Sequence, residues 1–513
     1  MSILSNQKLT AKDLEKKLKN AADILRKSLN ASENYKLVLP LIFVKRLNDN
    51  FFENAERLVN DDGLSKEEAY ENRKRHTSFF VPKNAYYKKL QEASSEIGKK
   101  INQVFKEIEN VNERLEGTLV NAEFAKTDKY TDEGLRKIIS IFAEENLADS
   151  NLENEDVFGD AYEFLLEEYA GETKKKGGQF YTPRQVVRLM VNLVKPEPGM
   201  RICDPTCGSG GMLIQSRKYI EKNFPKNDPD NLTLEGQESN PDTVNLGKMN
   251  MVIHKITDFD IKPKDVLEKP GLLDDGKLRT YDRVLANFPF GEDWDSTGKE
   301  NDAYNRFVYG IPPSKDKADF AFIQHMIACL NKNGKAAIVA SQGVLFRGRV
   351  EKEIREKMIL GDKENNIQGD IIEAVISLPP AIFYGTPIPG CILILNKNKP
   401  EKRKKKILFY YAGHKDDYLE QPNRNILREE DIDRISVRIK NYKEIPKKCV
   451  IVGLEEIKMN EYNLNVSRYV DISKPEEVID IPDVIKNIKN IEKEINSITG
   501  KVMKDLQGIG LKI

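Results

Sequence analysis

The sequence predicts a doubly wound α/β sheet, preceded by an all-helical N-terminal domain and followed by a helical tail. Three observations lead there. Short apolar segments that end in an acid or an amide alternate with helical stretches between Arg201 and Leu395. The first of them, Arg201-Ile-Cys-Asp204, breaks into the glycine-rich turn Pro205–Gly211, which opens a helix at Met212. In residues 1–155 glycine is scarce, and apolar residues recur at spacings of three and four without strand alternation.

The elements follow in order. Residues 1–155 form the helical domain. Leu14, Leu18, Ala22, Leu25 and Leu29 mark one amphipathic helix, and Leu37–Val44 a buried helix with Pro40 near its start. Ile97–Leu119 and Gly134–Phe142 continue the helical spacing, and no catalytic pattern stands out among them. Residues 156–400 carry the sheet. Asp160–Tyr169 is a short amphipathic helix, and Gly171–Gly178 a flexible basic link. Thr182 is placed to cap the next helix, with Pro183 at the first helical position and Gln185 completing a capping box. Val186, Val187, Met190, Leu193 and Val194 give that helix one apolar face. Strands are predicted at Arg201–Asp204, Leu232–Glu238, Lys264–Leu267 and Tyr281–Asn287. After a helix at Asp319–Leu330 come Lys335–Ala340, which follows the Asn333-Gly334 turn, then Ile371–Leu378 and Cys391–Leu395. The last two are joined by the Pro- and Gly-rich loop Pro379–Pro389, and the sheet is expected to be complete at Asn396. Residues 401–475 read as a mixed extension. It opens on the basic run Lys402–Lys406, a solvated loop or a phosphate contact. Residues 476–513 read as a coiled-coil-like helix. Ile481, Val484, Ile488, Ile491, Ile495, Ile498 and Val502 occupy a and d positions, a seam narrow enough to meet another helix.

A chain of 513 residues exceeds one ordinary core, so several domains are expected. Lys and Arg number 82 and Asp and Glu number 82, which argues against a protein that grips duplex DNA by net charge alone. If nucleic acid is the partner, local patches or another subunit must supply the attraction. The five cysteines form no paired framework. Cys203 and Cys207 flank the glycine turn, but no further Cys or His pair completes a metal site, so none is predicted. Reduced thiols and a cytoplasmic location are expected. The polar N-terminus lacks a signal-peptide core, and Leu37–Val44 is too short to span a bilayer, so no membrane role is expected.

Two stretches carry the chemistry. Gly208, Gly210 and Gly211 let backbone approach a ligand closely. The turn lacks a GK[ST] sequence and is preceded by Asp204, which favours a ligand with cationic or hydroxyl groups over a polyphosphate. Glu238, at the end of the second strand, stands where ribose hydroxyls are gripped in nucleotide-type α/β sites. Its interval from the turn exceeds the usual ~20 residues, and the polar stretch Asn223–Asn231 accounts for the excess. The second stretch is Asn287-Phe288-Pro289-Phe290, at the end of the fourth strand. An amino group conjugated to a ring is a poor nucleophile, because its lone pair is delocalised. Accepting hydrogen bonds from both of its hydrogens biases the nitrogen towards tetrahedral geometry. The Asn287 side-chain carbonyl can accept one, and the Phe288 backbone carbonyl, fixed by Pro289, the other. Phe290 can stack on a planar base, and Phe383 or Tyr384 can cover its second face. A base within a duplex would have to be turned out to reach such a pocket.

Those residues carry a family resemblance. GGQFYTP at Gly177–Pro183, DPTCGSGGML at Asp204–Leu213, QESN at Gln237–Asn240, ANFPFG at Ala286–Gly291 and EYNLNVSRYVD at Glu461–Asp471 are similar to motifs of one family. The chain resembles the modification (M) subunit of type I restriction-modification systems, S-adenosylmethionine-dependent DNA adenine methyltransferases, across nearly its whole length. The resemblance implies a Rossmann-like methyltransferase sheet. It implies that Tyr181 and Thr182 lie by the methionine carboxylate of S-adenosylmethionine, and that Asp204, Thr206 and the Gly208-Ser209-Gly210-Gly211 turn hold its methionine part. Glu238 would take the ribose hydroxyls and Asp265 would lie near the adenine amino group. Asn287, Phe288, Pro289 and Phe290 would hold the target adenine. Phe288 stands where the family usually has Pro, at some expected loss of loop rigidity. The family's partners would be DNA, a specificity (S) subunit shared by two M subunits, and a motor-nuclease (R) subunit. The residues alone leave open methylation of a protein glutamine or of RNA, and a non-catalytic scaffold.

Overall fold

Alternate residues of the strand Tyr281–Asn287 face opposite ways. Val284 and Ala286 enter one apolar core and Leu285 another, so this strand is covered on both faces. The same holds for most of the sheet in this computed structural model, which describes residues 8–25, 31–76, 79–119, 124, 131–154, 156–173, 181–313, 318–422, 424–473 and 481–508. The strands are β1 (Arg201–Asp204), β2 (Thr233–Glu238), β3 (Asp260–Pro263), β4 (Leu273–Asp274), β5 (Lys277–Leu278), β6 (Tyr281–Asn287), β7 (Leu330–Ser341), β8 (Ile372–Ser377), β9 (Gly390–Asn396), β10 (Lys406–Tyr411) and β11 (Cys449–Gly453). Among the described residues β4 and β5 form a separate ribbon, and the other nine form one sheet in the order β11-β10-β8-β9-β7-β6-β1-β2-β3. β3, β2, β1, β6 and β7 are parallel. β9 runs antiparallel between β7 and β8, and β11 is antiparallel to β10.

The first helical group comprises α1 (Ala11–Leu25), α2 (Ala31–Asn60), α3 (Lys66–Glu71), α4 (Lys88–Gln91), α5 (Ile97–Val111), α6 (Asp132–Ala143) and α7 (Val157–Thr173). Pro40 lies well inside α2 rather than near its start. An interior proline costs roughly 3 kcal/mol; here the flanking Leu39, Leu41 and Ile42 are fully buried and offset it. The sheet helices are α8 (Arg184–Val194), α9 (Gly211–Asn223), α10 (Pro241–Ile253), α11 (Asp319–Ala328), α12 (Val350–Leu360), α13 (Glu429–Asn441) and α14 (Leu454–Met459). α8, α9 and α13 cover one face of the sheet, and α11 and α12 the other. α10 is apolar nearly all round because it serves two cores: Val244 and Met251 join the α8–α9 layer, while Leu246, Met249, Val252 and Ile253 join the N-terminal helices.

Four expectations change. The sheet does not end at Asn396: Ile407–Tyr410, buried throughout, pair beside β8, and β11 closes that edge. The charge run before β10 hid this apolar stretch; in the fold Arg403 is paired with the buried Glu373, and Lys404 lies 2.7 Å from Glu401. The third strand is Asp260–Pro263, so Asp265 sits in the turn after it rather than within it. Thr182 does not cap α8; the helix starts at Arg184 after Pro183, with no side-chain cap. Of the predicted link Gly171–Gly178, residues 171–173 continue α7 as helix, while its remainder, with Gly177–Phe180 of the first motif, lies outside the described residues.

Residues 1–470 form one compact unit and 471–513 a second. Within the second, α15 (Ile481–Gly508) is a continuous helix. Val484, Ile488, Ile491, Ile495, Ile498 and Val502 are 44–61% exposed along it and form an apolar stripe. Among the described residues no helix is long and apolar enough to cross a membrane.

Gly247 on α10 packs so closely that an added Cβ would lie 2.8 Å from the Gly208 carbonyl oxygen, backbone that cannot yield cheaply. Gly247→Ala is therefore expected to destabilise the fold by about 1–3 kcal/mol through overpacking, read as a lower thermal midpoint. A variant melting with the wild type would contradict this packing.

Candidate active site

β1 and β6 are neighbours, but β2 and β3 extend the sheet from β1 on the opposite side. The strand order reverses there, which opens a crevice at the carboxyl ends of the two strands. Asp204 and the glycine turn leave β1 into that crevice, and Asn287 leaves β6 beside them. Together with residues from α7 and α8 they line a cavity of about 240 Å³.

The turn is built from backbone. Gly208 (φ 51°) and Gly210 (φ 78°) adopt the left-handed region that favours glycine. The Cys207 N–H donates to the Gln237 carbonyl at 2.9 Å, and the Gly210 N–H to Cys207 at 2.8 Å. From behind, the Asn250 amide donates to the Ser209 carbonyl at 2.9 Å. Glu238 accepts from the Gly208 N–H at 3.2 Å and from the Asn240 N–H at 2.8 Å, so the end of β2 is tied to the turn. Asp265 lies at the exposed rim and caps the N–H groups of Leu267 and Glu268 at 2.8 and 3.1 Å.

Asn287 is 9% exposed. Its Nδ2 donates to Thr182 Oγ1 at 2.9 Å, while its buried Oδ1 has no partner among the described residues. A buried amide oxygen left without a donor costs about 1–3 kcal/mol, so the pocket is ready to receive an N–H. The Phe288 ring is fully buried and stacks on Phe322 at 5.1 Å and 12°. That packing pins the turn where proline would otherwise stiffen it.

The cavity is rich in carboxylates. Burial pushes the Asp204 carboxyl up to about 8, and neighbouring Glu238 adds to the push, against the Thr206 N–H that donates to it at 3.1 Å. Glu238 is itself raised by burial. Two carboxylates in one apolar-backed cavity favour a cationic or hydroxyl-bearing ligand over a phosphate.

Of the residues singled out in the sequence, Tyr181, Thr182, Asp204 and Thr206 line the cavity, with Gly208, Ser209 and Gly211 on its floor. Glu238, Asp265, Asn287 and Pro289 complete its lining. Gly210 supports the turn from below. Phe288 offers its ring to the core, not to the cavity. Phe290 is half-buried, edge-on to Phe288 and to Phe383 at 5.9 and 6.3 Å. Phe383 is 2% exposed, packed against Gly390 and set back from the cavity, so it has no face to offer a base in this conformation. Sequence reasoning missed Glu163, Arg184 and Phe322, which also line the cavity. Arg184 directly follows the Tyr-Thr-Pro triplet and was in view. Glu163 has the sequence setting of an amphipathic helix; it is buried, and lies 3.6 Å from Arg184. Among the described residues no His, Cys, Asp and Glu side chains gather to hold a metal ion.

The sequence matches the N-6 DNA Methylase family over residues 153–478, and the HsdM N-terminal domain over residues 14–142. It is 34% identical to the type I restriction enzyme MjaVII methylase subunit of Methanocaldococcus jannaschii, over 99% of this chain and 86% of that one. It is 30% identical to the type I restriction enzyme HindI methylase subunit of Haemophilus influenzae, over 84% of this chain and 100% of that one. The crystal structure of the type I restriction-modification system methyltransferase subunit from Streptococcus thermophilus has a TM-score of 0.75 at 29% identity, covering 90% of this chain and 100% of that one. Sheet, cavity and helical region thus fall under one description, and the protein belongs to the N-6 DNA methylases, among the methylase subunits of type I restriction enzymes.

Proposed function

We propose that the chain transfers a methyl group from S-adenosylmethionine to the exocyclic N6 of adenine in DNA. It would act as the methylase subunit of a type I assembly whose specificity subunit selects the target. The observation that carries the reading is the buried, unpartnered Oδ1 of Asn287, beside a glycine turn shaped for a nucleoside-like ligand. S-adenosylmethionine supplies a methyl group on a positively charged sulfur. The residues fit it: Asp204 and the Gly208–Gly211 backbone suit its methionine part, with Tyr181 and Thr182 near the carboxylate. Glu238 suits the ribose hydroxyls, and Asp265 at the rim the adenine amino group. Asn287 Oδ1 accepts one hydrogen of the target amino group, and the Phe288 backbone carbonyl accepts the second. That turns the nitrogen lone pair towards the methyl carbon. The new N–C bond forms as the S–C bond breaks, and the surplus proton leaves to water. Positioning is the main contribution of the protein.

The exposed stripe of α15 supports a helical partner, which we assign to the specificity subunit, shared by two copies of this chain. A motor-nuclease subunit would join the same assembly.

Asn287→Ala should lower methyl transfer from labelled cofactor to DNA by about a hundredfold or more, as loss of a transition-state hydrogen bond does, with cofactor binding retained. Full-rate transfer by the variant would remove the basis of the assignment. The charge at Asp204 gives a second test. Burial lets this carboxyl keep its proton below about 8. A cationic ligand beside it favours the ionised form, so binding at pH 6.5 should release a proton, and affinity should rise with pH until about 8. Calorimetry in buffers of different ionisation enthalpy reads that proton. Asp204→Asn should abolish the release, and equal release by both proteins would contradict the placement.

A further inference from the structure

β7 ends at the same edge of the sheet as Asn287, and the loop after it, Gln342–Arg349, is held with unusual firmness. The carboxylate of Asp319, fully buried, accepts the Gly291 N–H at 3.1 Å on one oxygen and the Arg347 guanidinium at 2.9 Å on the other. One carboxylate therefore joins the end of the Asn287–Gly291 turn to this loop. Beneath it the buried Arg355 donates to the Val344 carbonyl at 3.2 Å and to the Arg347 carbonyl at 2.7 Å. Gly343 leaves room for Arg347 to fold back; an added Cβ would lie 2.6 Å from its Nε.

What the clamp presents outward is unlike a solvated turn. Phe346 is 47% exposed, with Val350 36% exposed after it. Arg349 is exposed and has φ 54° and ψ −134°, a backbone conformation that suits glycine. Holding a non-glycine residue there costs of order 1–3 kcal/mol, and glycine already stands one position earlier, at Gly348. Among the described residues the Arg349 side chain has no hydrogen bond or ion pair to offset that cost. An exposed aromatic ring and a strained cation thus stand on either side of Arg347, whose guanidinium shares the Asp319 carboxylate with the turn that follows Asn287.

We infer that this loop contacts the DNA strand carrying the target adenine: Arg349 meets a backbone phosphate next to the extruded nucleotide, and Phe346 stacks on the neighbouring base. The inference rests on the reading of the chain as a DNA adenine methyltransferase. It extends that reading to how the base is held out of the helix, for which a stacking ring and a phosphate anchor are the elementary needs. The clamp through Asp319 ties the loop that carries both to the turn that follows Asn287.

The test uses the full chain in complex with its specificity subunit, and the variants Arg349→Gly and Phe346→Ala. Arg349→Gly should weaken DNA binding about three- to tenfold at moderate salt and reduce the slope of log affinity against log salt by about 0.9. Its melting temperature should be unchanged or raised, because glycine accepts this backbone. Phe346→Ala should lower kcat/KM for DNA fivefold or more, as lost base stacking does, with cofactor affinity unchanged. Wild-type salt slope and kcat/KM in folded variants would overturn the inference. So would a marked loss of melting temperature in Arg349→Gly, which would mean that the strained arginine serves the fold. A wild-type complex that binds cofactor yet transfers no methyl group to DNA would instead defeat the parent reading, and this one with it.

Discussion

The hydrogen bond from the Asn287 amide to the Thr182 hydroxyl decides which end of that side chain faces the cavity. With Nδ2 engaged, Oδ1 is left buried and without a donor among the described residues. Much of the architecture serves to bring these two residues together. Thr182 lies at the entry to α8, which packs on the same sheet face as α9, and Asn287 terminates a strand from the middle of the sheet. The reversal of strand order between β1 and β6 sets the glycine turn beside them, so donor and acceptor of the methyl group would share one crevice.

The surroundings hold this arrangement by packing more than by charge. α10 presses Gly247 and Asn250 against the back of the glycine turn while its other side belongs to the N-terminal helical core. Glu163, from α7, reaches the cavity itself. α7 is therefore part of the wall of the site. On the far side Phe288 is buried against Phe322, and Asp319 fixes Gly291, so the turn after Asn287 is braced from within the core.

Much of this was legible in the chain. The strand–turn–helix at Arg201–Leu213 and the strand ending at Asn287 are local patterns, and local patterns report local structure faithfully. The failures share a cause. Thr182 has the residue type and spacing of a capping box, but a partner distant in sequence, Asn287, claims its hydroxyl. β10 stands next to a basic run and was absorbed into it, although Ile407–Tyr410 are apolar enough to be buried on both faces. Phe383 lies on the loop between the last two predicted strands, where the sequence allows it to cover a base; packing sets it edge-on to Phe290 and buries it. Glu163 gave no signal, since an acid on an amphipathic helix ordinarily faces water.

The most direct measurement is the structure of the assembled enzyme with a non-reactive analogue of S-adenosylmethionine and DNA containing its target site. The account predicts the target adenine turned out of the helix, with N6 about 2.7–3.2 Å from Asn287 Oδ1 and the Thr182 hydroxyl still accepting from Nδ2. An adenine bound elsewhere, or an Asn287 side chain that turns its amide nitrogen towards the base, would contradict it.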